Sequence, residues 1–189
     1  MNGPESGFGR LLEILDSLSI PYMVGGSLAA SAHGIPRSTQ DVDCVAAVKP
    51  EHAGTLVKKL KAEFYIDSPD ALRQSIRAGR IFNLIHLATG FKFDIYPLPE
   101  DPYQHAAFSR RTLAELGTGV TGAARFYVAS AKDTMLAKLS GEVPERQWSD
   151  VLDIVRVQRG LLDGGYLRKW AAALGVGDLL EKALEAGQI

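Results

Sequence analysis

The chain has 189 residues, 46% of them hydrophobic and 23% charged, which is the composition of a globular protein large enough to bury a core. No run approaches the ~20 apolar residues that cross a membrane, and the first residues lack a secretory pattern, so we expect a cytoplasmic protein without membrane association. The net charge of −1 gives no general attraction to nucleic acid, and the single cysteine, Cys44, excludes an internal disulfide.

The first third of the chain alternates between helical and extended patterns. Apolar residues follow a helical stripe that Pro21 stops, and a short strand comes next. Ser27 is predicted to be the N-cap of the following helix, which Gly34 ends. A β-branched apolar segment then predicts a second strand, and Pro50 opens another helix. The predicted order is helix, strand, helix, strand and helix, over residues 11–18, 22–24, 28–33, 42–48 and 51–62.

The rest of the chain predicts a hairpin followed by helices. Residues 69–78 have a helical pattern, and residues 80–87 and 91–96 are predicted to pair as an antiparallel hairpin with Thr89 and Gly90 at the turn. Four helices are then predicted, over 130–139, 145–158, 166–174 and 178–186. We therefore divide the chain into an α/β part, 1–125, and a helical C-terminal part, 126–189.

Two motifs near the N-terminus suggest chemistry. In Met23-Val24-Gly25-Gly26-Ser27 an apolar strand breaks at two glycines into a helix, which offers backbone N–H groups to a phosphate. In Asp41-Val42-Asp43 the period of two of a strand places both carboxylates on one face, where a divalent cation such as Mg²⁺ would relieve their repulsion. Either motif alone is more often a tight turn or a solvated strand edge.

Asp94 is the natural third carboxylate. Alternation along residues 91–96 places Lys92, Asp94 and Tyr96 on the face opposite the apolar residues. If this strand lies beside the first, three carboxylates around two cations can activate a hydroxyl and stabilise a leaving pyrophosphate. Asp94 would then act as the general base or as the ligand that lowers the pKa of the hydroxyl.

The order and spacing of these groups resemble the signature of the DNA polymerase β-like nucleotidyltransferase superfamily, with a Gly-Ser turn, a DxD strand and a later strand aspartate. Residues 24–43, VGGSLAASAHGIPRSTQDVD, look like the AbiEii-like branch, which includes toxins of bacterial toxin–antitoxin systems. The resemblance is strongest over 20–48, moderate around 80–97 and thin beyond 130. It implies an α/β (α+β) fold: a small mixed β-sheet backed by helices and followed by a helical C-terminal part.

The resemblance also implies roles for the motif residues. The turn residues Gly25, Gly26 and Ser27 would hold the triphosphate of an NTP such as ATP. The catalytic and metal-binding residues would be Asp41, Asp43 and Asp94, with Mg²⁺ or Mn²⁺ as the cofactor.

Arg37 lies in the predicted loop between the phosphate helix and the DxD strand. Its guanidinium is suited to phosphate oxygens, and a salt bridge to a neighbouring carboxylate is an equal alternative.

The C-terminal part matches some positions of the AbiEii-like pattern and departs from it at others. The pattern contains a lysine-leucine pair, matched by Lys138-Leu139, and an RxKDxxD stretch. In that stretch Asp150 is kept, Ser149 replaces the lysine and the arginine comes one position early, at Arg146. Lys138 is a candidate for binding the nucleotide. Arg146 and Asp150 are four residues apart on the predicted helix, so an ion pair between them is the alternative to ligand contacts.

The sequence predicts an enzyme that moves a nucleoside monophosphate from an NTP to a hydroxyl, and it leaves the acceptor open. A toxin-like enzyme would modify an RNA end such as that of tRNA, with an antitoxin protein as a partner. The basic patches available for RNA are Lys58, Lys59 and Lys61, and the pair Arg110 and Arg111. The alternatives are an enzyme for small hydroxylated molecules, as among antibiotic-modifying nucleotidyltransferases, and a non-catalytic nucleotide-binding or partner-binding domain.

Overall fold

The computed structural model describes residues 4–115 and 125–187. Its strands are β1 (Tyr22–Val24), β2 (Asp41–Ala46), β3 (Phe64–Tyr65), β4 (Phe82–His86), β5 (Lys92–Pro97), β6 (Thr112–Ala114) and β7 (Phe126–Val128). Its helices are α1 (Pro4–Ser17), α2 (Gly26–His33), α3 (Ala53–Leu60), α4 (Pro69–Arg77), α5 (Pro102–Ser109), α6 (Ala131–Leu139), α7 (Glu145–Val157), α8 (Gly164–Leu174) and α9 (Gly177–Gly187). A 3₁₀ turn, Pro50–His52, leads into α3.

The strands of the described ranges form one mixed sheet in the order β3-β4-β5-β2-β1-β7-β6. At its centre β2 pairs with β1 antiparallel and with β5 parallel, and Asp43 lies opposite Asp94. The predicted hairpin is confirmed, because β4 and β5 are antiparallel and Gly90 has the positive φ of 70° that its turn requires. The predicted class, a mixed sheet backed by helices and followed by further helices, is confirmed.

The helix after β1 begins differently from the prediction. Ser27 is not the N-cap: α2 begins at Gly26, with Gly25 in the capping position and no side-chain cap. The hydroxyl of Ser27 instead accepts a hydrogen bond from Arg37 Nη2 at 2.8 Å. The helix ends at His33, before Gly34, as predicted.

Several short elements escaped the sequence patterns: β3, β6 and β7, with two or three residues each, and α5. Residues 126–128, assigned to the helical part, form β7 and pair with β1 in the sheet. The junction was predicted between residues 125 and 126, and residues 116–124, just before it, lie outside the described ranges. The division of the chain into 1–125 and 126–189 stays a prediction.

Buried apolar residues form two clusters. The larger one holds the inward residues of the sheet, such as Val42 and Phe93, together with apolar residues of α1, α3 and α4. The smaller one joins α6 to α9 with Tyr103 and Ala107 of α5. Helix α2 contacts β2 on one side and α6 and α7 on the other, so it links the sheet to the C-terminal helices. None of the helices in the described ranges combines the length and apolar character needed to cross a bilayer.

Candidate functional site

The glycine turn lies directly against the DxD strand. The amide of Gly25 donates to the carbonyl of Asp43 at 2.8 Å, which extends the pairing of β1 and β2 to the end of β1. Gly26 has φ +55°, and a Cβ placed there would overlap the carboxylate of Asp43. Only glycine therefore lets the start of α2 approach this carboxylate so closely.

The predicted carboxylates share one face of the sheet, which we call the front face. Along β2, Asp41 is exposed and Asp43 is half-buried, whereas Val42 and Cys44 are buried on the other face. Asp94 of β5 is half-buried beside Asp43. The structure thus brings the three predicted carboxylates together on neighbouring strands.

Two of these carboxylates accept hydrogen bonds from neighbouring hydroxyls. Thr39 Oγ1 donates to Asp41 Oδ1 at 2.8 Å, and the hydroxyl of Tyr96 donates to Asp43 Oδ1 at 3.1 Å. Alternation already placed Tyr96 on this face, although the sequence analysis gave it no role. Thr39 had no recognisable signal, because its contact depends on the course of the loop before β2.

Asp94 is held differently. Lys92 Nζ lies 2.9 Å from its carboxylate, whose side chain is 14% exposed. Its Oδ1 atom is buried and lies 2.9 Å from the Lys92 ammonium, although it accepts no hydrogen bond of regular geometry within the described part of the chain. A buried carboxylate oxygen that already lies against an ammonium is suited to positive charge.

The donor set fits Mg²⁺ in part. No three His, Cys, Asp or Glu side chains in the described ranges are arranged to hold one metal ion by themselves. Mg²⁺ usually takes only one or two carboxylates and completes its shell with water and substrate phosphates. Asp43, with one oxygen beside Gly26, and Asp94, whose carboxylate would exchange the Lys92 ammonium for the metal ion, could supply such a pair.

Burial and the neighbouring carboxylates raise the pKa of Asp43 together, and Tyr96 and Lys138 oppose them. Burial is the largest cause that raises the pKa of Asp43 above its usual value, and the charges of Asp41 and Asp94 add to it. The hydrogen bond from Tyr96 and the charge of Lys138 act in the opposite direction. The net effect is a raised pKa of Asp43, as expected for a partly buried carboxylate beside two others. A bound cation would stabilise the charged form of all three.

Arg37 and Lys138 meet at Asp150, in an ion-pair network beside the glycine turn. Arg37 Nε and Nη2 each donate to the Asp150 carboxylate at 2.7 Å, and Lys138 Nζ lies 2.8 Å from it. Burial alone would raise the pKa of Asp150, but these two cations outweigh it and hold the pKa below its usual value. Arg37 also donates to Ser27, so the network reaches the predicted phosphate turn.

The predicted ion pair between Arg146 and Asp150 is wrong. Asp150 is buried and faces the cations of α6 and of the loop before β2, whereas Arg146 is exposed. Arg37 forms the salt bridge given as one of its alternatives, and its contact with Ser27 keeps the phosphate alternative open.

A cleft of about 980 Å³ runs between the front face and the C-terminal helices. This volume falls within the range of small-molecule sites. The residues that line it include Gly25, Gly26, Ser27, Arg37, Asp41, Asp43, Tyr96, Tyr103, Gln104, Asp133, Lys138 and Arg146. Asp94 is not among the lining residues.

A second polar network on the helical side of the cleft was not predicted. Asp133 is 2% exposed and accepts hydrogen bonds from Tyr166 at 2.6 Å and from Arg110 at 3.1 Å. The guanidinium of Arg110 also stacks on the Tyr166 ring, 4.1 Å from its centroid. Arg110, a predicted RNA contact, therefore forms an internal ion pair with Asp133. Together with Tyr166, this pair connects the end of α5 to α6 and α8.

Comparison with known proteins rests on structure, since the sequence matches no protein-family model and no curated protein. The crystal structure of the lincosamide antibiotic adenylyltransferase LnuA with lincomycin bound is similar, with a TM-score of 0.53 and 11% identity over 83% of this chain and 99% of that chain. An antigenic nucleotidyltransferase-like protein from Paracoccidioides brasiliensis gives a TM-score of 0.54 and 19% identity over 97% of this chain and 92% of that chain. The AbiEii-like branch stays a prediction. The chain has the fold of the nucleotidyltransferases.

Proposed function

We propose that this protein is a metal-dependent nucleotidyltransferase, which moves a nucleoside monophosphate from an NTP to a hydroxyl and releases pyrophosphate. One observation carries the proposal: Gly26 brings the start of α2 against Asp43, and Asp43 is paired across the sheet with Asp94. The helix start and Asp43 then face the cleft, and Asp94 lies beside Asp43 on the same face of the sheet. The likeness in fold to an adenylyltransferase supports the same reaction class.

The triphosphate would bind at the start of α2. The first backbone N–H groups of that helix would donate to the phosphate oxygens, and Ser27 adds a hydroxyl. Arg37 and Lys138 line the same part of the cleft and supply positive charge. With Asp150 between them, the two cations carry a net charge of about +1 before any ligand binds.

In the transfer step the hydroxyl oxygen of the acceptor forms a bond to the α-phosphorus, and the bond from that phosphorus to the bridging oxygen breaks. Asp94 accepts the proton of the hydroxyl. Arg37 and Lys138 stabilise the negative charge of the departing pyrophosphate. Asp43 and Asp94 would hold Mg²⁺ or Mn²⁺, with Asp41 as the third predicted ligand beside them, and the ion would supply Lewis-acid stabilisation.

For the acceptor, the arrangement of basic residues weakens the RNA alternative. Arg110 is engaged with Asp133, and Lys58, Lys59 and Lys61 are exposed on or just after α3 and do not line the cleft. The RNA acceptor and the antitoxin partner therefore depend on the AbiEii-like resemblance alone. LnuA was solved with lincomycin, which favours a small hydroxylated acceptor for this chain as well.

Isothermal titration of the protein with each NTP, with and without Mg²⁺, tests the proposal. We expect binding that Mg²⁺ strengthens and that the double variant Asp41→Ala, Asp43→Ala loses. Metal-independent binding that the double variant keeps would contradict catalysis and would indicate a non-catalytic nucleotide-binding domain.

A transfer assay separates the acceptors. The protein is incubated with each α-labelled NTP, Mg²⁺ and either total RNA or a panel of hydroxylated small molecules. Label that moves to tRNA would support the toxin-like alternative, whereas label that moves only to a small molecule would exclude it.

A further inference from the structure

Strand β4 and the residues that flank it carry apolar side chains on both sides of the sheet, with Asn83 as the polar residue on the exposed side. Phe82, Leu84 and His86 are buried in the core, as expected for one face of a sheet strand. The opposite face continues the alternation through Ile81, Ile85 and Leu87, which are 51%, 38% and 60% exposed. A strand with one solvated face normally carries polar residues there, so this face indicates a contact that residues 4–115 and 125–187 do not provide.

The exposed residues are on the front face, beside the carboxylates. Ile85 lies opposite Lys92 of β5 on one side and Tyr65 of β3 on the other. Asn83, between Ile81 and Ile85, lies opposite Asp94. We call the exposed set the apolar platform: Tyr65, Ile81, Ile85 and Leu87.

The apolar platform and the cleft lie on opposite sides of Asp94. The cleft contains the glycine turn, Asp41 and Asp43, but its lining does not include Asp94 or Asn83. Across the sheet the order is β4, β5, β2 and β1, so Asp94 stands between the platform and the turn. In an in-line displacement the attacking and leaving oxygens are on opposite sides of the phosphorus. With the pyrophosphate held at the turn, the attacking hydroxyl comes from the side of the platform.

The size of the apolar platform argues against a protein occupant. Four partly exposed side chains form a patch of roughly a few hundred Å². A stable protein interface buries about 800 Å² on each partner. The area of the patch is thus too small for a stable interface with a second copy of the chain, and it matches the area that one face of a small ligand would cover.

The charges beside the apolar platform argue against a phosphate backbone. Across the paired strands β4, β5 and β2, two rows of neighbouring residues are Ile85, Lys92 and Asp41, and Asn83, Asp94 and Asp43. The charged side chains in these two rows are Asp41, Asp43, Asp94 and Lys92. Lys92 is held by Asp94 at 2.9 Å, which leaves no free cation on these two rows. Nucleic acids bind mainly through cationic contacts to phosphates, so an RNA end fits poorly here.

We propose that the apolar platform binds the acceptor of the transfer reaction, a small uncharged or cationic molecule that carries hydroxyls and an apolar ring. This inference rests on the proposed function. The ring packs on Tyr65 and Ile85, where the tyrosine offers a stacking surface. The side-chain amide of Asn83 orients a hydroxyl of the same molecule toward Asp94.

Nuclear magnetic resonance with two probes tests the proposal on the full-length ¹⁵N-labelled protein. Phenyl β-D-glucopyranoside carries hydroxyls and an apolar ring, and D-glucose carries hydroxyls alone. We expect the phenyl glycoside to shift the signals of Tyr65, Ile85 and Leu87, and D-glucose to leave them unchanged. The variant Ile85→Ser should bind the phenyl glycoside roughly tenfold more weakly. Leu161→Ser is the matched control, because Leu161 is 77% exposed and outside the platform.

Three results would overturn the assignment. The first is equal binding of both probes, or binding that Ile85→Ser does not weaken. The second is displacement of the phenyl glycoside by an RNA oligonucleotide with a free 3′ hydroxyl. The third is a dimer in sedimentation that Ile85→Ser dissociates, which would make this face an interface between copies. Titration of the same samples with ATP and Mg²⁺ tests the proposed function separately. If ATP binds but the phenyl glycoside does not shift the signals of the platform residues, the acceptor assignment is wrong and the proposed function is not affected.

Discussion

Gly26 is the residue on which the geometry of the site depends most. Its positive φ and its contact with Asp43 both require the absence of a side chain. Gly25, one residue earlier, has φ −119° and open space where a Cβ would stand. The two neighbouring glycines therefore serve different purposes, although they look equivalent in the sequence.

We predict that Gly26→Ala lowers the rate of nucleotidyl transfer by about 100-fold, because a displacement near 1 Å at a reacting group has an effect of this size. The methyl group would push the Asp43 carboxylate away from the turn. The measurement is kcat/KM for the NTP at saturating acceptor. Gly54→Ala is the control, because Gly54 lies in α3 outside the cleft and has open space where a Cβ would stand; it should keep its activity within a few-fold, and an equal loss in both variants would contradict this account.

The raised pKa of Asp43 predicts a pH-dependent cost to folding in the absence of metal. The folded protein binds the Asp43 proton more tightly than the unfolded chain does. Stability is therefore lost as the pH rises from the usual value of 3.8 through the folded pKa, and the cost is complete above it.

Asp43→Asn should accordingly raise the free energy of unfolding at neutral pH, and the gain should vanish below the usual pKa of the carboxyl. Urea unfolding from about pH 3.5 to about pH 7, with a chelator present, measures the difference between variant and wild type. A gain that is independent of pH would show that the charge of Asp43 is not its cause. Added Mg²⁺ should remove the wild-type cost.

At the scale of elements, Asp150 of α7 ties three parts of the fold together. It receives Arg37 from the loop before β2 and Lys138 from α6. The side chains of Asp150 and Lys138 are 7% and 8% exposed. Removing Asp150 would leave two cations close together without a counterion.

We predict that Asp150→Ala destabilises the protein by roughly 3 kcal/mol, because one partner of a buried ion pair is removed. Inorganic triphosphate should stabilise this variant more than the wild type, since it replaces the lost anion. Thermal unfolding with and without triphosphate measures both effects.

Asp153→Ala is the control for this prediction, because within the described ranges Asp153 pairs only with the exposed Arg156 of its own helix. Its effect should stay within about 0.5 kcal/mol. The account would be wrong if the two variants lost equal stability, or if triphosphate stabilised Asp150→Ala no more than the wild type.

The elements also show what a sequence can predict. Alternation along β2 and β5 correctly predicted that Asp41, Asp43 and Asp94 lie on the faces of their strands opposite the buried apolar residues. This prediction is possible because the direction of a side chain in a strand is a local property. The pairing of β2 with β5 joins strands that are far apart in the sequence, so no local pattern predicts it. The sequence analysis therefore had to assume this pairing in order to bring Asp94 beside Asp43. Strands of two or three residues, such as β3, are too short to show a period.

The partners of Asp150 illustrate the same limit. Helical spacing suggested Arg146, four residues before it, but spacing does not tell which side chain of such a pair faces the core. Asp150 is buried, so its partners come from other elements, Arg37 and Lys138. Thr39 likewise meets Asp41 only because the preceding loop bends back, which no pattern in the sequence indicates.

At the scale of the whole molecule, the cleft joins the two apolar clusters of the described chain. One wall comes from the sheet and α2, and the other comes from α5, α6 and the start of α7. A ligand that contacts both walls stabilises both clusters at once.

We predict that ATP with Mg²⁺ slows hydrogen exchange both in the glycine turn and in α6. A ligand at 100 times its Kd stabilises the folded state by about 2.7 kcal/mol. AMP with Mg²⁺ is the control: it lacks the β and γ phosphates that Arg37 and Lys138 would bind, so its protection of α6 should be smaller. Equal protection by the two nucleotides would place the triphosphate elsewhere.

The bond between Arg37 and Asp150 joins residues 113 positions apart. Chains emerge from a ribosome at about 5 to 20 residues per second, so roughly 5 to 25 seconds separate the synthesis of these two residues. By the end of that interval the glycine turn and both carboxylate strands have been synthesised, but until then Arg37 lacks Asp150 and the part of the cleft wall that comes from α7 is missing. The cleft is thus completed late in synthesis, and a chain interrupted before α7 would carry the carboxylates and the glycine turn beside an incomplete wall.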